Sequence, residues 1–330
     1  MLEIDNALSF LSPIELESFQ TFYPFAYKKI TNIIHSKKRF VHYSTAEAAV
    51  SIIRNKEVWM RQASTMNDFQ EIEHGRHCLQ QALKHPSGEK LKKLLEDLFP
   101  GLWSKLFEFL EGWYGDFRNE TYIACISEHD SPNEDSIGRL SMWRAYGGTV
   151  GVALVLNPYA FIAPSNALDA YTSPVAYLSP ADFITHFVDL VSSLECKKEL
   201  LIELQRETVL NHLFNIFKLA LLSTKHPGFH EEKEWRIIHS PTLQKSVRLK
   251  KEIHSIRGVP QKIYKIPLAN IPEENLLGVE PDQLLERIIV GPSDQPYEIR
   301  EAFIELLEEN GVTNASDRVT VSTIPLRTRS

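Results

Sequence analysis

Glu232 and Glu234 stand two residues apart in Phe229-His230-Glu231-Glu232-Lys233-Glu234-Trp235-Arg236, at the mouth of a run that reads as a strand. Residues i and i+2 of a strand share a face, so both carboxylates are expected on one side. Like charges so placed repel unless water, a cation or a ligand separates them. The chemistry open to such a pair is therefore that of a charged binding or reaction site. An exposed strand end with Trp235 buried behind it would account for the same residue types.

Further polar and aromatic residues gather at the ends of expected strands: His42-Tyr43-Ser44, Arg61, Asn67-Asp68, and Trp143 with Tyr146. Each has an ordinary structural reading. A histidine on a strand is commonly a hydrogen-bonded structural residue, the two rings could be core with a polar tip, and Arg236 could simply pair with a nearby glutamate. A metal is not expected. His74, His77, Cys78 and Glu71 share a helical stretch without a zinc-hydrolase spacing, and His226 and His230 flank Pro227-Gly228 in a loop. There is no phosphate-binding P-loop, and Gly147-Gly148-Thr149-Val150-Gly151 precedes a strand where a dinucleotide fingerprint would follow one. No serine stands in a nucleophile elbow.

The elements that must position these residues are legible from periodicity and capping. Ser12-Pro13-Ile14-Glu15 opens a helix, and residues 1–38 read as a helical N-terminal extension. Arg39 to Tyr43 reads as a strand, Ser44-Thr45-Ala46-Glu47 as the cap of a helix, and Glu57 to Arg61 as a second strand. Helical patterning runs from about 68 to 120, divided by Pro86 and Pro100, and again from 180 to 224. Strands are expected at 121–127, 150–156, 174–178, from 233, at 246–250 with Val247 and Leu249 inward, at 287–290 and at 319–322. The strands do not alternate regularly with helices. This predicts one α+β domain over 39–330, with a mixed or antiparallel central sheet and helical insertions at about 68–120 and 180–224.

Charge narrows the function classes. A net charge of −7 argues against wide embrace of nucleic acid, which needs many cationic contacts to phosphates. A local patch is the exception: Lys245, Arg248, Lys250, Lys251, Arg257, Lys262 and Lys265 cluster in sequence, either as a binding ribbon or as lysines guarding a sheet edge. Cys78, Cys125 and Cys196 are too few and too scattered for a disulfide framework. No apolar run is long enough to cross a bilayer, and no secretory leader is visible, so a soluble, cytoplasmic protein without membrane partners is expected.

The motifs resemble those of the bacterial domain-of-unknown-function 2971 family. The correspondence is carried by His42-Tyr43-Ser44, Asn67-Asp68-Phe69-Gln70-Glu71, Trp143-Arg144-Ala145-Tyr146 with Gly151-Val152, and Glu232-Lys233-Glu234-Trp235-Arg236. Ile289-Val290-Gly291-Pro292 and Ser322-Thr323-Ile324-Pro325-Leu326-Arg327 extend it to the C-terminus, while Ser44 and Phe69 depart from the usual threonine and proline. The opening strand-helix-strand also resembles that of ADP-ribosyltransferases. That second resemblance implies their fold and NAD as substrate, with His42 holding the nicotinamide-side ribose and Glu234 and Glu232 as the catalytic acids. Tyr43, Ser44, Trp143 and Tyr146 would line the nicotinamide site, and Arg61 or Arg236 would pair with the pyrophosphate. Leaving of nicotinamide makes the ribose cationic, a state that a fixed carboxylate stabilises. The expected partner is a macromolecular acceptor of ADP-ribose, protein or nucleic acid, or else water in NAD hydrolysis; a toxin or phage-defence effector is the matching role. The competing reading is a non-catalytic module that recognises a peptide or nucleic acid through the acidic pair or the basic ribbon.

Overall fold

Two proline-initiated helices lead the chain in: α1 (Pro13–Phe22), closed at its start by the reciprocal Ser12 and Glu15 capping bonds, and α2 (Pro24–His35). The computed structural model describes residues 4, 7–66, 71–130, 132–256 and 258–325. Then follow β1 (Arg39–Thr45), α3 (Ala46–Asn55) and β2 (Glu57–Gln62). Thr45 is the cap of α3, accepting from Ala48 N, so Ser44 remains in the strand. The helical stretch resolves into α4 (Glu71–Lys84), α5 (Pro86–Leu98) and α6 (Leu102–Asn119), with Pro86 at the first turn of α5 where its missing N–H costs nothing. The expected turn at Asn67-Asp68 lies outside the described residues.

The middle of the chain gives β3 (Tyr122–His129), α7 (Leu140–Tyr146), β4 (Gly151–Leu156), the single-turn α8 (Tyr159–Ile162), β5 (Tyr171–Pro174) and β6 (Ala176–Tyr177). The second helical stretch is α9 (Pro180–Cys196) and α10 (Lys198–Leu222), the latter broken where Gln205 turns out of helical backbone. After β7 (Thr224–Lys225) come β8 (Glu234–His239) and the hairpin β9 (Lys250–Ile256) and β10 (Val259–Pro267). The chain closes with α11 (Pro281–Leu284), β11 (Leu285–Val290), α12 (Pro296–Glu309), α13 (Ala315–Arg318) and β12 (Val319–Val321). No helix among the described residues is long and apolar enough to cross a membrane.

The fold is α+β, with a mostly antiparallel central sheet in the order β12-β11-β4-β1-β3-β2-β10-β9; among the described residues only β11 and β12 run parallel within it. β3 is a branch point. One of its edges carries β8, which in turn carries β5. The other is shared: β1 pairs near Ser127 (Val41↔Ser127) and β2 near Ile123 (Arg61↔Ile123), leaving Ala124 to Ile126 between them.

Directly opposed residues of an antiparallel pair point to the same face. Val41, Ser127, Glu234, Cys125 and Arg236 therefore share one face, and Phe40, Glu128, Trp235 and Ile126 the other. Ile123 and Ile238 on the first face pack with the leucine- and phenylalanine-rich sides of α4, α5, α6, α9 and α10. On the second, Phe40, Ile126, Trp235, Leu154 and Ile288 pack with α2, α3 and α12. The N-terminal helices join both layers: Phe22 belongs to the first cluster, Ile30 and Ile33 to the second.

Two strand expectations change. The segment 246–250 is not an alternating strand: Val247 is 89% exposed, Leu249 is buried, and the ladder starts at Lys250. The strand expected at 174–178 divides, because β6 leaves the main sheet and pairs in parallel with β7.

Candidate active site

Glu232 and Glu234 converge, but not by strand alternation. Pro227–Glu232 is a 3-10 turn, Glu234 opens β8, and Lys233 between them takes left-handed backbone with φ of 44°. What gathers the two carboxylates is Lys225 at the end of β7. Its Nζ lies 2.6 Å from Glu232 Oε2 and 3.2 Å from Glu234 Oε2, with the ammonium also over the Phe229 ring at 4.7 Å.

Glu234 is 6% exposed and fully engaged. Arg236 Nε donates to its Oε1 at 2.9 Å, and its own N–H donates to the Tyr177 hydroxyl at 2.8 Å. Burial alone would raise this carboxyl, but the Arg236 guanidinium and the Lys225 ammonium outweigh it and hold its pKa at about 2. It is an anion at neutral pH.

Glu232 is different. It retains partial exposure and accepts from the Tyr146 hydroxyl at 3.1 Å. Burial and the neighbouring Glu234 charge push its pKa up, against the pull of Lys225. Two adjacent carboxyls whose environments drive their protonation apart are the arrangement from which acid–base roles are assigned. Arg139, at the cap of α7, holds the turn in place by donating to the carbonyls of Glu231 and Glu232 at 2.9 and 3.4 Å and to that of Glu128 at 2.8 Å.

Tyr43 and Trp143 lie on the same face but are core. Their rings meet edge to face at 4.9 Å, Arg139 N donates to the Tyr43 hydroxyl, and Trp143 Nε1 donates to the Ile137 carbonyl at 2.9 Å. Trp143 is 3% exposed and sits in a slot walled by glycines: a Cβ would stand 2.5 Å from the indole at Gly138 and 3.0 Å at Gly291. Gly151 and Gly291, which lie in the family-like motifs, and Gly138, which does not, thus admit the ring, and its expected place against nicotinamide is replaced by a structural one. Tyr146 is the aromatic residue of α7 that reaches the carboxyl pair.

His42 and Ser44 alternate with Tyr43 and so face the opposite side of the sheet from Glu234. The expected convergence of His42 with Glu234 around one sugar does not occur, because two strand registers place the sheet between them. His42 instead closes the branch in β3, its Nδ1 donating to the Cys125 carbonyl at 2.9 Å where neither β1 nor β2 reaches. Arg61 lies along the other edge of β3 from β8, donating to the Thr65 carbonyl and to Gln261. Arg236 is committed to Glu234 and to the Leu222 carbonyl, a structural ion pair and not a pyrophosphate clamp.

Sequence reasoning missed Lys225, Tyr177 and Arg139. Lys225 is 4% exposed in β7, three residues after the apolar run Leu219-Ala220-Leu221-Leu222 that ends α10, and a lysine following an apolar helix was its only trace. No cluster of His, Cys, Asp and Glu among the described residues has the geometry of a metal site.

The family model described as "Protein of unknown function (DUF2971)" matches residues 142–237. This is the family that the motifs resemble, and the matched stretch contains Tyr146, Tyr177, Lys225, Glu232, Glu234 and Arg236. No curated protein and no solved structure matches the chain.

Proposed function

We propose that the protein is an NAD-consuming enzyme that transfers ADP-ribose to a macromolecular acceptor or to water, with Glu232 as its reacting carboxylate. The observation that carries this reading is the pairing of a partly open Glu232, whose pKa burial and the Glu234 charge push up, with a buried Glu234 held low by Arg236 and Lys225. In this scheme the bond between nicotinamide and ribose breaks with its electron pair leaving on nicotinamide, and the Glu232 carboxylate faces the cationic sugar or takes the proton of the attacking hydroxyl. Lys225 holds Glu232 in place; Glu234 and Arg236 fix Lys225; Tyr146 donates to the same carboxylate. Phe229, 39% exposed beside Lys225, offers a ring on which a flat leaving group can rest. His42, Tyr43, Ser44, Arg61 and Trp143 have no part in it. The finer fold reading, likeness to ADP-ribosyltransferases, rests on the opening strand-helix-strand and the two acids.

The ribbon reading has less support. Arg248 pairs with Glu274, Lys262 with Glu120 at 3.5 Å, and Lys265 with Glu57 and Glu252 at 3.1 and 2.8 Å, so half of the described cations of the ribbon are already matched by acids, while Lys245, Lys250 and Lys251 are exposed. Arg257 lies outside the described residues. The test is release of nicotinamide from NAD by purified protein, alone and with cell extract as acceptor source. Glu232→Gln is expected to abolish it with the melting temperature retained. Full release by that variant, or none by the wild type under either condition, refutes the assignment.

A further inference from the structure

On the opposite face of the sheet from the carboxyl pair lies a cavity of about 500 Å³, within the range of small-molecule sites. Its walls are aliphatic, with Ile126, Leu154, Leu156 and Ile237 from the sheet facing Ile53 of α3 and Phe161 of α8. No lysine or arginine lines it, and its charge-bearing residues are Glu15, His42 and His212. A pyrophosphate or carboxylate would therefore enter without a cation to meet it, so neither NAD nor a fatty acid anion suits the site.

The polar residues on its sheet wall are His42 and Thr172, the latter on the same face as Ile237. The Cys125 carbonyl can only accept, so Nδ1 carries the hydrogen and Nε2 presents a lone pair. No second partner of His42 exists among the described residues. Burial keeps the ring neutral by lowering its pKa, so the lone pair persists at neutral pH. The hydroxyl of one lining residue, Ser18 Oγ, is buried without any hydrogen-bond partner. Unmet polar groups around an otherwise oily chamber are what a ligand with a small polar end would satisfy.

We propose that this cavity is a binding site for a neutral, mainly aliphatic small molecule bearing a hydroxyl group, which donates its hydrogen bond to His42 Nε2. The site is separate from the carboxyl pair and stands whether or not the protein consumes NAD.

Decanol and decyl methyl ether share an alkyl chain and differ in the donor. Decanol is expected to bind saturably, one per chain by native mass spectrometry, and to raise the melting temperature. The ether should bind about tenfold more weakly, the worth of one hydrogen bond whose loss strands a buried acceptor. His42→Leu keeps the volume and should bring decanol down to the ether's affinity, while Leu154→Trp, which sets an indole beside His42 in the chamber, should weaken both. The proposal is overturned by absence of saturable decanol binding to folded wild type, by equal affinity for the two probes, or by a preference for decanol that survives in folded His42→Leu. Undiminished binding to folded Leu154→Trp also overturns it, since the probe would then sit elsewhere.

Discussion

Glu234→Gln should convert a pH-dependent contribution to stability into a fixed deficit. The folded carboxyl titrates at about 2 against a usual 4.5. At about 1.4 kcal/mol per unit, the Arg236 and Lys225 contacts thus contribute roughly 3 kcal/mol when Glu234 is ionised in both states. The sign follows from the depressed value: the contribution is complete above the unfolded pKa of 4.5 and is lost as pH falls toward 2. Near pH 7 the variant should be less stable by about 3 kcal/mol, consistent with the cost of breaking a buried ion pair. By about pH 3 the wild type has itself lost roughly 2 kcal/mol of this term, so the gap should narrow to roughly 1 kcal/mol. Urea unfolding followed by tryptophan fluorescence at the two pH values measures both gaps. A gap that stays constant, or one below about 1 kcal/mol near neutrality, would mean that the cations do not hold this carboxylate.

Trp143→Ala should cost about 3 to 5 kcal/mol in unfolding free energy and leave any NAD affinity of the remaining folded protein unchanged; weakened binding with unchanged stability would restore the ring to a ligand site. Gly291→Ala brings a Cβ to 2.9 Å from the Gly151 carbonyl, so its melting temperature should fall clearly, and a neutral result would contradict the slot. Lys225→Met should move the acid limb of nicotinamide release to higher pH, since the ammonium is what draws the raised Glu232 pKa back down; an unmoved limb would detach Glu232 from the rate. Val247→Asp should change stability by no more than about 0.5 kcal/mol, as an 89% exposed site allows, whereas Leu249→Asp should be far worse; equal effects would bring back the alternating strand.

Local rules carried much of the architecture. The Ser12 capping box, the proline at the start of α5, the buried apolar strand β4 and the two helical stretches all lie where periodicity and capping place them. The α+β class follows from their irregular order. What pattern could not supply was the pairing of distant strands, and with it the face on which each side chain emerges. His42 and Tyr43 are neighbours in sequence and are sent to opposite sides; only the register Val41↔Ser127↔Glu234 reveals which one accompanies the acids. Lys233 shows a second limit. A left-handed residue between Glu232 and Glu234 breaks the strand geometry that their spacing suggested, yet both carboxylates reach Lys225. Lys225 itself carries no motif, because a buried lysine is defined by partners brought from elsewhere in the chain.

The divided edge of β3 makes a seam in the molecule. Where β1 and β2 part, an imidazole takes up a carbonyl in place of another strand, so the half of the sheet carrying β2, β10 and β9 is attached through a short ladder at Arg61 and Gln62. Amide protons along that ladder should exchange with solvent sooner than those binding β1 to β4, and slow opening of the protein should begin there. Because His42 borders both this seam and the oily chamber, a guest in the chamber would tighten the joint, and slower exchange at Arg61 and Gln62 would report its arrival.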